Sequence, residues 1–196
     1  DVCSSDLVRD GISAREAEAA IGLRNRWELE KGFYATTSFE QVKSLSKADT
    51  DNQNSDNTAA SLGVEYLANP NWKAVARIEA RWADQSDTIL NNLGIAYKYS
   101  NDVTLLAKNV VSLTDSKNEN SGDRLVDRFQ VGAAYRDTEH NRFDALTKVE
   151  YRYDSNKSDL NNPYLKHVYI FSNHLNYHPS RDITLSGQYA VKNVDT

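Results

Sequence analysis

The stretch that decides the fold reads Trp72-Lys73-Ala74-Val75-Ala76-Arg77-Ile78-Glu79-Ala80-Arg81-Trp82. Its even positions hold only tryptophan, alanine and isoleucine, whereas its odd positions hold lysine, valine, arginine, glutamate and arginine. Side chains of a β-strand alternate between the two sides of a sheet, so a period of two separates these sets. The stretch therefore predicts a long strand with one apolar face, bounded by tryptophan at both ends, and one charged face.

Strand signals of this kind recur along the chain. We predict ten strands, most of them 10 to 13 residues long, at 21–30, 33–43, 59–67, 72–83, 88–99, 103–114, 124–136, 142–153, 164–177 and 183–192. Strands of globular domains are about half that length. Strands that cross a bilayer at a tilt need about 9–11 residues, so the lengths favour a membrane-spanning sheet.

The predicted connections alternate in length. Short turns are expected at 31–32, 68–71, 100–102, 137–141 and 178–182, with turn-forming residues such as Asn69-Pro70-Asn71. The other joins are longer, at 44–58, 115–123 and 154–163, with a medium loop at 84–87. Transmembrane barrels combine short periplasmic turns with longer extracellular loops, and this alternation fits them.

Aromatic residues recur where predicted strands meet turns. Gly63–Tyr66, Gly94–Tyr97, Gly132–Tyr135 and His174–Tyr177 each end a strand before a short turn. We predict an aromatic girdle at the membrane interfaces, where amphipathic rings suit the headgroup level. The alternative is ordinary hairpin ends that use β-favouring tyrosine. The predicted girdle comprises Tyr66, Trp72, Trp82, Tyr97, Tyr135, Phe143 and Tyr177.

In strand length, in the alternation of its side chains and in its pattern of short and long connections, the chain from about residue 20 onward resembles the barrel region of Gram-negative outer-membrane proteins. These include barrels that anchor very large surface proteins. The resemblance implies an all-β, antiparallel up-and-down meander that forms a partial or closed transmembrane barrel. It also implies outer-membrane location, a role as pore or anchor without catalysis, and the lipid bilayer and lipopolysaccharide as partners. The alternative is a soluble, secreted β-rich binding or adhesion module.

The two ends of the sequence depart from the barrel pattern. Residues 1–7 match the translation of a sequencing-library adapter, so we expect a non-native tag and a missing true N-terminus. Residues 8–20 are expected to form a ragged or short helical lead-in, because Ser13–Glu16 resembles a capping box. The final residues, Asn193–Thr196, lack the aromatic end of many barrels. We therefore expect a fragment whose remaining polypeptide lies outside this sequence.

Charged residues opposite the apolar face are predicted to face the barrel lumen. Two interpretations stay open: a hydrated channel whose charges select solutes, and a salt-bridged plug without a pore, which the sequence slightly favours. Strand number decides barrel width, and the sequence leaves it open. The predicted lumen-facing set is Arg24, Arg26, Glu28, Glu65, Lys73, Arg77, Glu79, Arg81, Lys148, Glu150 and Arg152.

Other functional classes receive little support. A net charge of −5 argues against a nucleic-acid partner. The acidic loop 49–57 lacks the glycine of a calcium-binding turn, so no metal or cofactor is expected. Neither the four histidines nor the rest of the chain shows a converging nucleophile, base and acid. Three asparagines do not fit the predicted division into a lipid-facing and a lumen-facing side, namely Asn25, Asn109 and Asn173. They fall on positions predicted to face lipid, where an unpaired amide is costly.

Overall fold

A computed structural model describes residues 18–44, 56–117, 121–157 and 162–195. It contains ten β-strands: β1 (Glu18–Glu30), β2 (Phe33–Ser44), β3 (Asn57–Tyr66), β4 (Trp72–Ala83), β5 (Ser86–Lys98), β6 (Val103–Ser116), β7 (Arg124–Arg136), β8 (Phe143–Asn156), β9 (Tyr164–Ser180) and β10 (Ile183–Asp195). In these ranges no helix is long and apolar enough to cross a membrane.

The ten strands form one sheet in chain order, and each pairs antiparallel with its sequence neighbours. This confirms the predicted all-β up-and-down meander. β1 and β10 do not contact each other, so the sheet is open and has two free edges. The architecture is a single layer without a second sheet among the described residues.

The strand registers keep like residues on the same side. Ile78 of β4 lies opposite Leu62 of β3 and Asn91 of β5, whereas Arg77 lies opposite Gly63 and Asn92. The side that carries Ile78 is called the apolar face below, and the side that carries Arg77 the polar face. Because every register from β1 to β10 preserves this phase, each face continues across the whole sheet.

Burial shows that the sheet curves toward its polar face. The four buried residues among those described are Ala59, Val168, Glu150 and Asp154, and all lie on the polar face. The large side chains of the apolar face are mostly exposed, and none in the described ranges is fully buried. The fold therefore shelters charge on its concave side and leaves hydrocarbon outside, the reverse of a globular domain.

Several predicted boundaries were wrong by a few residues. The medium loop expected at 84–87 is only the two residues between Ala83 and Ser86, so one join at the long-loop end is as short as a hairpin turn. The turn expected at 178–182 shrinks to 181–182, because β9 continues through Pro179 to Ser180. A register shift at this point places an extra residue on β9, and such a bulge tolerates a proline without an N–H.

The structure describes only the last three residues of the lead-in expected at 8–20. Glu18 to Ala20 belong to β1, so the first strand begins three residues earlier than the predicted Ile21. Residues 8–17, where the capping box falls, and the predicted tag at 1–7 lie outside the described residues.

Gly32 closes the first hairpin in a conformation that favours glycine. Its φ is 77°, and the amide of Leu67 donates to its carbonyl oxygen at 2.7 Å. A Cβ atom at this position would lie 2.6 Å from Cα of Ala68. Both the backbone conformation and the space therefore exclude a side chain.

We expect Gly32→Ala to lower the free energy of unfolding by about 2 kcal/mol or more, because a left-handed residue alone costs about 1–2 kcal/mol and the contact with Ala68 adds to it. Urea titration measures the loss. Gly187→Ala is the matched control, since a Cβ there meets nothing within 4 Å. Equal losses in both variants would contradict the assigned turn geometry.

Asp102 and Thr138 connect two neighbouring turns at the short-turn end. Oδ1 of Asp102 accepts hydrogen bonds from the Thr138 hydroxyl at 2.5 Å and the Thr138 amide at 3.0 Å. These bonds favour the carboxylate, so the pKa of Asp102 lies below its ordinary value of 3.8, the hydroxyl bond being the larger cause. The contact ties the β5–β6 turn to the β7–β8 turn.

The contact should respond to pH in a defined direction. Since folding depresses this pKa, its contribution is complete above about pH 3.8 and disappears as the pH falls through the lowered value. We expect Asp102→Asn to accelerate hydrogen exchange of the Thr138 amide severalfold at neutral pH, with the difference from wild type vanishing at low pH. Asp84→Asn, at an exposed turn of the other end, should leave that amide unchanged.

Candidate functional site

The structure places the whole predicted lumen-facing set on the polar face. Arg24, Arg26 and Glu28 lie on β1, and Glu65 lies on β3. Strand β4 contributes Lys73, Arg77, Glu79 and Arg81, and β8 contributes Lys148, Glu150 and Arg152. These residues therefore share one face of the sheet. The further statement that this face borders a barrel lumen stays a prediction.

The polar face carries many more charges than sequence reasoning identified, and cations predominate. Within the described strands from Ala19 onward, its cations are Arg24, Arg26, Lys73, Arg77, Arg81, Lys98, Lys108, Arg124, Arg128, Arg136, Lys148, Arg152, Lys166 and Lys192, and its carboxylates are Glu28, Glu40, Glu65, Glu79, Asp144, Glu150 and Asp154. There are thus two cations for each carboxylate, although the chain as a whole has a net charge of −5.

Glu150 is the centre of the largest ion cluster on this face. The residue is buried, with 7% of its surface exposed. Its carboxylate lies 3.3 Å from Nε of Arg128 and 3.6 Å from Nζ of Lys148, and it accepts a hydrogen bond of 2.6 Å from Nε2 of Gln130. Two cations and one hydrogen bond, from residues on β7 and β8, therefore compensate one buried charge.

Asp154 repeats the arrangement four residues further along β8. Nε and Nη2 of Arg124 donate to its two oxygens at 3.2 and 3.1 Å, a bidentate pair. Arg152 lies 3.8 Å from the same carboxylate. Both buried carboxylates thus face more cationic than anionic neighbours, and the β7–β8 region keeps an excess of positive charge.

The charges on β4 form a shorter chain. Arg77 donates to Glu79 at 2.9 Å. Arg81 contacts the other Glu79 oxygen at 3.4 Å. On the neighbouring strand β3, Glu65 accepts from Arg26 at 2.9 Å. Exposed pairs of this kind contribute little to stability, so their main effect is on the local potential.

The predicted girdle residues all lie on the apolar face, and six of the seven cluster at the short-turn end. Tyr66 and Trp72 are 4.5 Å apart between ring centroids, and Tyr135 and Phe143 are 6.0 Å apart. Trp82 stands at the opposite end of β4. Phe33, 6.5 Å from Tyr66, extends the row and was not among the predicted girdle residues.

The three asparagines that did not fit the predicted division do lie on the apolar face, and each is hydrogen-bonded. Nδ2 of Asn109 donates to Asp127 at 2.7 Å, and Oδ1 of Asn173 accepts from the Thr147 hydroxyl at 2.5 Å. Oδ1 of Asn25 accepts from the amide of Arg26 at 2.9 Å. Pairing within the sheet reduces the cost of these polar groups on an apolar surface.

One contact joins an acid, an imidazole and a hydroxyl, which sequence reasoning did not anticipate. His178 lies 3.2 Å from Asp144 through Nε2 and 3.0 Å from Thr184 through Nδ1. The hydroxyl belongs to Thr184, an exposed residue of the edge strand β10. We interpret the set as a link between β8, β9 and β10. Elsewhere in the described ranges, no three metal-binding side chains converge.

Comparisons with known proteins identify no relative, so the function of this chain has to be inferred from its physical properties. A scan against protein-family models matched no family. A search of curated proteins returned no significant match.

The Glu150 cluster yields a stability prediction. We expect Glu150→Gln to lower the free energy of unfolding by about 1–3 kcal/mol, because it removes the charge that Arg128 and Lys148 surround. Glu40→Gln is the matched control on the same face, since Glu40 is exposed and should change stability by less than about 0.5 kcal/mol. A urea titration that finds both variants equally stable would contradict the role of Glu150.

Proposed function

We propose that this chain forms the membrane-spanning β-sheet of a Gram-negative outer-membrane barrel, which serves as a pore or as the membrane anchor of a larger cell-surface protein and carries out no catalysis. One observation carries the proposal: an exposed apolar face continues across ten strands while the concave face is charged. A bilayer provides apolar solvent outside and water inside, which suits this distribution.

The exposure of four side chains supports a lipid-facing surface. Ile78 is 48% exposed, Val149 46% and Leu185 59%. Tyr151 is half-buried because its ring packs 5.2 Å from that of Tyr169 on the same face. A soluble sandwich would cover such residues with a second sheet, and the described strands form one sheet only. Apolar patches this large on soluble proteins mark interaction surfaces.

The height of the apolar band also fits a bilayer. On β4, Trp72 and Trp82 bound the band. This interval contains ten residue steps, or about 33 Å along a strand at about 3.3 Å per residue. At the usual barrel tilt of about 40°, the band would be about 25 Å tall, the height typical of outer-membrane barrels.

The cation excess on the polar face favours a hydrated interior over a salt-bridged plug. A plug would match its charges one to one, since unpaired charges in a dry interior are costly. Here the cations outnumber carboxylates by two to one in the described strands from Ala19 onward. Cations without partners need water, and a water-filled interior lined by them would attract anions.

The faces can be tested by two substitutions on adjacent residues. We expect Ile78→Arg to impair membrane assembly, because arginine on the lipid face of a barrel costs about 2–4 kcal/mol near the midplane. Arg77→Gln should assemble normally, because it removes only an exposed pair with Glu79 and leaves Arg81 beside that carboxylate. Outer-membrane fractions of cells that express each variant provide the measurement.

The reverse result, with normal assembly of Ile78→Arg and failure of Arg77→Gln, would show that the two faces have been exchanged. Recovery of the full-length wild-type protein from the soluble periplasm without detergent would refute the membrane assignment itself. That outcome would favour a secreted binding or adhesion module, whose partner would cover the apolar face.

A further inference from the structure

The polar face contains one apolar hollow. Among its regularly paired residues in the described strands, only four large hydrophobic side chains are exposed: Val75, Leu106, Leu146 and Val194. The first three line a single cavity of about 610 Å³, and Val194 lies apart on the edge strand β10. The cavity volume falls within the range of about 300–1,000 Å³ that is usual for small-molecule sites.

Small residues create the space. The cross-strand row Lys73, Ala96, Leu106, Gly132 and Lys148 runs over β4 to β8, with lysine at each end. A Cβ atom at Gly132 would lie 2.8 Å from the carbonyl oxygen of Thr147, so the backbones approach closely there. The absence of a side chain at this position leaves the floor of the hollow open.

The rim of the hollow carries positive charge without a matching carboxylate. Its lysines are Lys73, Lys108 and Lys148, and its only carboxylate is Glu65, which already pairs with Arg26. Lys148 lies 3.6 Å from Glu150, a residue that does not line the hollow. Lys73 and Lys108 have neither ion pair nor hydrogen bond among the residues described, and both are exposed.

We propose that this hollow binds an apolar organic monocarboxylate that reaches it from the aqueous side of the polar face. The apolar body would cover Val75, Leu106 and Leu146, and the carboxylate would accept hydrogen bonds from Lys73 or Lys108. Burial of exposed hydrocarbon and a charge-assisted bond then act together. The inference rests on the proposed function, because a water-filled barrel interior is what brings a solute to this face.

Naphthoate is a suitable probe because it combines an apolar ring system with one carboxylate. Naphthol has the ring system without the carboxylate, and acetate has the carboxylate without the ring system. Isothermal titration calorimetry on protein in zwitterionic phospholipid nanodiscs, with empty nanodiscs subtracted, measures each affinity. We expect naphthoate to bind at least about tenfold more tightly than either counterpart, since each lacks one of the two contacts. Equal binding of naphthoate and naphthol would overturn the proposal, because the lysines would then contribute nothing.

Two variants test the two halves of the site separately. Lys73→Gln/Lys108→Gln should weaken naphthoate binding by about tenfold or more and leave naphthol binding unchanged. Ala96→Leu keeps both lysines but fills the hollow, so it should weaken naphthoate binding as well. Lys31→Gln/Lys43→Gln removes the same charge outside the cavity lining and should retain wild-type affinity. Wild-type affinity in both site variants would overturn the proposal.

Membrane insertion is measured first and separately, by fractionation. If the protein inserts but does not bind naphthoate, the carboxylate site is refuted and the barrel function stands. If the protein is recovered soluble, the barrel function is refuted, and so is the aqueous route into an enclosed interior on which this inference rests.

Discussion

The side-chain period of two, held in phase by nine strand registers, is the constraint on which the rest of this structure depends. A slip of one residue between any two strands would exchange their faces and place arginine among isoleucine and leucine. Ile78 meets Leu62 on one side, and Arg77 meets Gly63. Backbone hydrogen bonds alone would permit such slips, and the contrast between the faces excludes every slip by an odd number of residues.

The buried charges add a second level of specificity on the concave side. Glu150 and Asp154 hold β7 and β8 together through Arg128 and Arg124, at positions that only the correct register brings together. Each carboxylate has two cations beside it, which reduces the cost of its burial. The same surplus of cations gives the concave face its positive potential, so stability and electrostatic character have a common origin.

Much of this architecture could be predicted from sequence because alternation and strand length are local signals. All ten strands and the single-sheet order follow from them. Local signals could not show that β9 passes through Pro179, since a bulge there depends on the register with β10. Nor could they identify the contact between His178 and Asp144, or the hollow around Leu106, because each requires residues from several strands. Pairwise register, which sequence patterns leave open, decides both.

The two free edges have a consequence for strand parity. β1 runs toward the short-turn end, and β10 runs away from it, so the edge strands point in opposite directions. In hydrocarbon an unpaired backbone edge costs several kcal/mol per group, so under the proposed membrane function the sheet has to close. If β1 pairs directly with β10, or if an even number of additional strands lies between them, every pair of neighbouring strands in the closed barrel is antiparallel. An odd number of additional strands would make one pair of neighbours parallel.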